Sequence, residues 1–145
     1  MVLYIPASYP SMELFKQVCS LELARRLKEL GVKQESLFWW QVCADGTTEL
    51  QYQKTTTNYG IPVQEYYSAF TVTELGALLP VVVHRYTPIG KEHHSDIRYW
   101  KNGYKWCIRI GEFDDEEMPC LDFSGDSEAD ARAHCLIYLV KNKLV

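Results

Sequence analysis

One stretch restricts the fold more than any other: Asp96–Ile110, which alternates around the dipeptide Asn102-Gly103. Asn-Gly between alternating runs favours a two-residue hairpin turn, because both central residues must take positive φ. That turn sets Lys101 opposite Tyr104, Trp100 opposite Lys105 and Tyr99 opposite Trp106. Further out it sets Arg98 opposite Cys107, Ile97 opposite Ile108 and Asp96 opposite Arg109. One face then collects Ile97, Tyr99, Tyr104, Trp106, Ile108 and Ile110. The other collects Asp96, Arg98, Trp100, Lys105, Cys107 and Arg109. Such segregation is what a half-buried antiparallel pair needs.

Three helices surround this hairpin in the sequence. The first spans about 20–30: Ser20 is a suitable N-cap, Leu23, Leu27 and Leu30 form an apolar stripe, and Gly31 ends it. The second spans about 72–79, opened by the capping-box pattern Thr71-x-x-Glu74 and closed by Pro80. The third spans about 127–142, capped by Ser127 or Asp126, with Ala129, Ala133, Leu136, Ile137 and Val140 as its inward stripe. Glu128 and Asp130 at its start and Lys141 and Lys143 at its end complement the helix dipole.

A second hairpin is expected from Leu37–Cys43 and Thr48–Lys54 about the turn dipeptide Asp45-Gly46. Residues 55–69 read as a loop, with room for a short strand. Val81-Val82-Val83 reads as a strand start, Thr87–Ser95 as a polar loop and Asp114–Glu117 as a solvated acidic loop. The resulting fold class is α+β: an antiparallel sheet built from two hairpins, with about three helices packed mainly on one face. Residues 1–145 form a single domain on this reading, as suits the length. Residues 1–19, punctuated by Pro6 and Pro10, form an extended arm or begin a helix at Met12, Phe15 and Val18.

Composition narrows the functional classes. Hydrophobic residues make up 47% and charged residues 23%, enough apolar material for a packed core. The net charge is -4, which argues against a general nucleic-acid coat. Five cysteines without a C-x-x-C suit free thiols of a reduced cytosol better than a disulfide framework. The start, Met-Val-Leu-Tyr-Ile-Pro-Ala-Ser, lacks a basic n-region and does not read as a signal peptide. The apolar runs Leu75–Val83 and Cys135–Val140 fall well short of the roughly 20 residues needed to span a bilayer. A cytoplasmic protein without membrane contact is expected.

Three blocks carry a resemblance: Cys19–Trp40, Phe70–Pro80 and Asp126–Val145. In that order they resemble a group of small uncharacterised proteins of bacteriophages, prophages and other bacterial mobile elements. The blocks cover about a third of the chain and comprise capped helices and a core strand. The resemblance implies a small cytosolic protein of bacterial or phage origin, and it supplies no catalytic residues.

No catalytic constellation stands out. G-x-S-x-G, P-loop, H-E-x-x-H and dinucleotide motifs are absent. His134 and Cys135 project about 100° apart on a helix and do not face each other. Glu92-His93-His94-Ser95-Asp96 has ligand chemistry, but adjacent histidines point apart and the spacing fits no zinc pattern. A surface loop without metal or cofactor is the expectation there.

The basic hairpin face, Arg98, Trp100, Lys105 and Arg109, could meet single-stranded nucleic acid by stacking and phosphate contact. The alternative is a solvent face, with Trp100 covered by the stem of Lys105 and Asp96 paired to Arg109. Four tryptophans and ten tyrosines favour either a core or an interface, with Tyr59, Tyr66, Tyr67 and Tyr86 the candidates for a surface patch. The function best matched to these features is a non-enzymatic protein-interaction module that binds another protein or forms a homodimer. The alternatives are a nucleic-acid-binding accessory protein using the hairpin face and a small enzyme whose site the fold assembles.

Overall fold

The computed structural model describes residues 12–112 and 114–145, and the chain enters it through a short helix, α1 (Met12–Gln17). The part of the expected N-terminal arm at residues 1–11 lies outside the described residues. From Met12 onward the backbone is helical, not extended. The ring of Phe15 stacks on Trp40 at 5.8 Å, and Val18 is buried and bridges to Thr71.

Helix α2 (Leu21–Glu29) begins where Ser20 caps it, the hydroxyl accepting from the Leu23 N–H. Leu23, Ala24 and Leu27 are its buried residues. Gly31 takes φ +85, and the Val32 N–H returns to the Leu27 carbonyl at 3.0 Å. The chain therefore reverses as a left-handed C-terminal residue permits.

The first sheet is four-stranded, in the order β2-β1-β4-β3, from β1 (Trp39–Cys43), β2 (Thr48–Gln51), β3 (Thr57–Asn58) and β4 (Ile61–Ser68). The β1–β2 turn has three residues, not two: the Gly46 N–H returns to the Cys43 carbonyl at 2.9 Å with Gly46 at φ +85. A type I turn followed by a left-handed glycine gives this geometry. Residues 55–69 are not mainly loop, since β4 is the longest strand of this sheet and pairs with β1 on one side and β3 on the other. The expectation failed because β4 mixes exposed and half-buried residues without clean alternation. Gln41, on β1, is fully buried and is satisfied by Thr55: its amide nitrogen donates to Thr55 Oγ1 at 3.0 Å, and its carbonyl accepts the Thr55 N–H at 2.7 Å.

Helix α3 (Val72–Leu78) carries the full capping box between Thr71 and Glu74. The second sheet is a meander, β5-β6-β7-β8, from β5 (Val82–Tyr86), β6 (Glu92–Asn102), β7 (Lys105–Ile110) and β8 (Leu121–Gly125). The polar stretch 87–95 is only partly loop, because β6 already begins at Glu92. The β6–β7 turn is centred one residue later than the sequence pattern suggests. Asn102 opposes Lys105, Trp100 opposes Cys107, Arg98 opposes Arg109 and Ile97 opposes Ile110. Gly103 (φ +59) occupies the first central position and Tyr104 the second, so Tyr104 stands at the tip, 96% exposed, off the buried face. Each partner moves by two residues, which preserves the division into faces. Ile108 and Ile110 remain buried.

Helix α4 (Glu128–Lys141) is capped by Ser127, whose hydroxyl accepts the Asp130 N–H at 3.0 Å. Its buried residues, Ala129, Ala131, Ala133, Cys135, Leu136, Ile137 and Leu139, are not confined to one stripe. The cause is its position: α4 contacts β7, β8, α1, α2 and α3. Helix α2 in turn packs on β4. The class is α+β as expected, but there are two antiparallel sheets with helices packed between them. The expected antiparallel pairing with helices packed on it is present in outline; the difference is that the strands divide into two sheets and do not form one. One buried cluster runs through both, taking Trp40 and Leu50 from the first sheet and Val83, Ile108 and Ile110 from the second. Among the described residues no helix is long and apolar enough to cross a membrane.

Candidate metal centre

The β5–β6 hairpin gathers the polar chemistry that the sequence scattered. Its turn is Pro88-Ile89-Gly90, with Gly90 at φ +85. The Gly90 N–H returns to the Thr87 carbonyl at 2.8 Å, and the Thr87 N–H donates to the Lys91 carbonyl at 2.9 Å. That bond fixes the phase of the ladder. Arg85 with His93 and Val83 with Ser95 are hydrogen-bonded pairs, whereas Tyr86 with Glu92, His84 with His94 and Val82 with Asp96 are not. Side chains approach more closely across a non-hydrogen-bonded pair. His84 and His94 accordingly face each other with ring centroids 4.4 Å apart.

Glu92 shares their face, two residues before His94. Its Oε1 lies 2.8 Å from His84 Nδ1 and 3.5 Å from His94 Nε2. One ligand atom from each of the three residues falls within 4.8 Å of the others, and all three are exposed. The hydrogen bond from His84 holds the Glu92 carboxyl below its ordinary range. Two imidazoles and one carboxylate form a donor set suited to zinc, nickel or copper rather than to calcium or magnesium. Three protein ligands leave a coordination position open.

The opposite face of the hairpin is braced. Arg85 is buried, with Nε donating to Ser95 Oγ at 2.9 Å and Nη1 to the Pro119 carbonyl at 2.7 Å. Burial lowers the pKa of this guanidinium, and its Nη2 has no hydrogen-bond partner among the described residues. His93 lies 3.5 Å from Asp115 and 3.3 Å from Glu117, and Lys91 pairs with Glu117 at 2.6 Å. The acidic loop is thereby fastened to β6. The adjacent histidines do point apart, as expected, one to each face. The sequence reasoning missed the partner across the ladder, His84. The Thr87–Gly90 turn was the signal, since fixing it places His84 opposite His94.

The basic hairpin face is only partly assembled. Arg98 and Arg109 lie directly opposite each other, Trp100 is one pair away and Lys105 lies beyond, at the turn. Arg98 is ion-paired with Glu112, and Arg109 forms a two-pronged pair with Asp122 at 2.6 and 2.8 Å. Arg109 thus pairs with β8 and not with Asp96. Its guanidinium also sits 5.0 Å from the Trp100 ring centroid, so Trp100 is covered by Arg109. The shallow cavity of about 400 Å³ on this face is lined by Glu112 and Asp114 as well as by Arg98, Trp100 and Arg109. The Arg109 pair keeps the Asp122 carboxyl below its usual range. A phosphate would have to displace these carboxylates.

The thiols of Cys19 and Cys135 are both pushed up to about 12 by burial, which makes them poor nucleophiles. Tyr59 and Tyr86 are exposed, while Tyr66 and Tyr67 are half-buried against Lys54 and against Arg25 and Lys28. No family model, curated protein or solved structure matches this chain.

Proposed function

We propose that this protein is a small, non-catalytic binding module that takes a divalent transition metal of the zinc class at His84, Glu92 and His94. The observation that carries this reading is the convergence of two imidazoles and a carboxylate from adjacent strands. The ladder phase determines that convergence, and the braced opposite face keeps both strands in place. An accessory role in a bacterial cytoplasm is part of this proposal and rests on the sequence pattern of Cys19–Trp40, Phe70–Pro80 and Asp126–Val145 alone. The basic hairpin face supports nucleic-acid binding less well, because Arg98 and Arg109 already have carboxylate partners.

Calorimetric titration with zinc, nickel and copper tests the assignment. Binding is expected for all three, with no heat from magnesium or calcium. His84→Ala and His94→Ala each abolish it, and Glu92→Gln weakens it. Affinity falls on acidification, because a protonated imidazole has no lone pair to donate. Zinc binding that survives the double variant H84A/H94A would overturn the reading.

A further inference from the structure

The metal site lies at the rim of its sheet, and this position says what else could occupy the open coordination position. Among the described residues β5 is an edge strand of the second sheet. The ladder phase turns the backbone N–H and C=O groups of Arg85 and Val83 toward β6. Those of Val82, His84 and Tyr86 therefore point outward, away from β6. An edge of this kind is a template for another strand. His84 is the midpoint of Val82–Tyr86, so the strand is self-complementary about it.

Resting on the metal assignment above, we propose that a second copy of this chain completes the site by antiparallel pairing of β5 with β5. In that register Val82 opposes Tyr86 of the partner subunit, and His84 opposes the partner's His84. All three positions use their outward backbone groups, so the central pair is hydrogen-bonded with a Cα separation of about 5.5 Å. Residues directly opposite share a face. The partner's His84 then comes to the face that carries His84, Glu92 and His94, and supplies a fourth ligand. An ion held this way sits off the two-fold axis and takes both copies of His84, which leaves the equivalent site without a His84 imidazole, so a pair of chains holds one ion. Exposed apolar side chains fit the same contact: Tyr86 is 64% exposed, and Val81 and Ile89, at the two ends of the strand, are 86% and 90% exposed. Antiparallel pairing brings the Val81 end of one copy beside the Ile89 end of the other. An isologous contact of this kind closes on itself and does not propagate.

Sedimentation of the full chain with and without zinc tests the proposal, together with the ion-to-chain ratio from the same samples. Zinc is expected to double the mass at half an ion per chain, and chelation to restore the monomer. Val82→Pro removes an outward N–H at an edge position where proline is tolerated, and Tyr86→Lys places a charge opposite Val82. Both variants are expected to bind zinc one to one as monomers; Tyr86→Lys carries the test if Val82→Pro does not fold. One ion per wild-type monomer overturns the proposal and leaves the metal assignment intact. A dimer that persists in chelator, or in His84→Ala, overturns it as well, as does a zinc-linked dimer indifferent to Tyr86→Lys. No zinc binding at all removes both readings.

Discussion

At the scale of single residues, the closest constraints lie where backbone meets backbone. A Cβ on Gly125 would stand 2.6 Å from the Ala131 nitrogen and 2.9 Å from Asp130 Cβ, against the first turn of α4. Neither atom can yield without moving the helix. Gly125→Ala should therefore cost about 2–3 kcal/mol, measured by denaturant midpoint. A Cβ on Gly76 also comes within 2.5 Å of a neighbour, but that atom is Arg132 Nη1, the end of a flexible side chain. Gly76→Ala gains about 1 kcal/mol of helix propensity and loses part of the Arg132–Glu128 pair, so it should change stability by less than about 1 kcal/mol.

Asp130 illustrates the electrostatic side of the same packing. It accepts the Ser20 N–H at 2.8 Å and so ties the cap of α2 to α4. Burial raises its pKa despite that bond. A raised folded-state pKa means that the unfolded chain loses its proton first as pH climbs. The contribution of Asp130 is thus complete below the ordinary carboxylate range and is lost as pH rises through the folded value. Asp130→Asn keeps an acceptor for Ser20 without the titration. Its stability should fall less than that of the wild type between mildly acidic and neutral pH, as thermal melts across that range would show.

At the scale of elements, caps were legible and strands were less so. Ser20, Thr71 and Ser127 all accept the N–H bond that their position promised. A cap is a local contract between residues three apart, so the sequence displays it directly. Glu74 does more than its motif implies: besides the Thr71 N–H it accepts from Ser36 Oγ at 2.7 Å and from the Leu37 N–H at 2.8 Å. It therefore fastens the approach to β1. Glu74→Ala should cost about 1–2 kcal/mol and lower the melting temperature, with Glu74→Gln intermediate. Strand β8 passed unread, although Leu121 and Phe123 alternate with Asp122 and Ser124 and both pack on the core. Five residues offer few periods, and the neighbouring acidic loop masks them. The β6–β7 register was read one turn residue too early because Asn102-Gly103 and Gly103-Tyr104 can each form the tip. The structure adopts the second, with Asn102 opposite Lys105 and Gly103 at φ +59.

At the scale of the whole molecule, what the sequence concealed was long-range. Each hairpin was visible in its own stretch. That they belong to different sheets depends on β4 adding to β1 and on β8 adding to β7. The same applies to the metal centre: Glu92 and His94 adjoin in the sequence, but His84 reaches them only through the ladder. Of the basic face, the residue types were legible and their neutralisation was not. Glu112 and Asp122 lie outside the hairpin that carries those cations.

The burial of α4 on so many sides has a consequence for how the molecule is made. Both sheets and the other helices precede it in the chain, so each leaves the ribosome before the piece that seals them. Until then the inner surfaces of Ile108, Ile110 and Leu75 have no lid. The nascent protein passes through an open-shell interval that lasts until α4 emerges, and this interval is where a chaperone would find it.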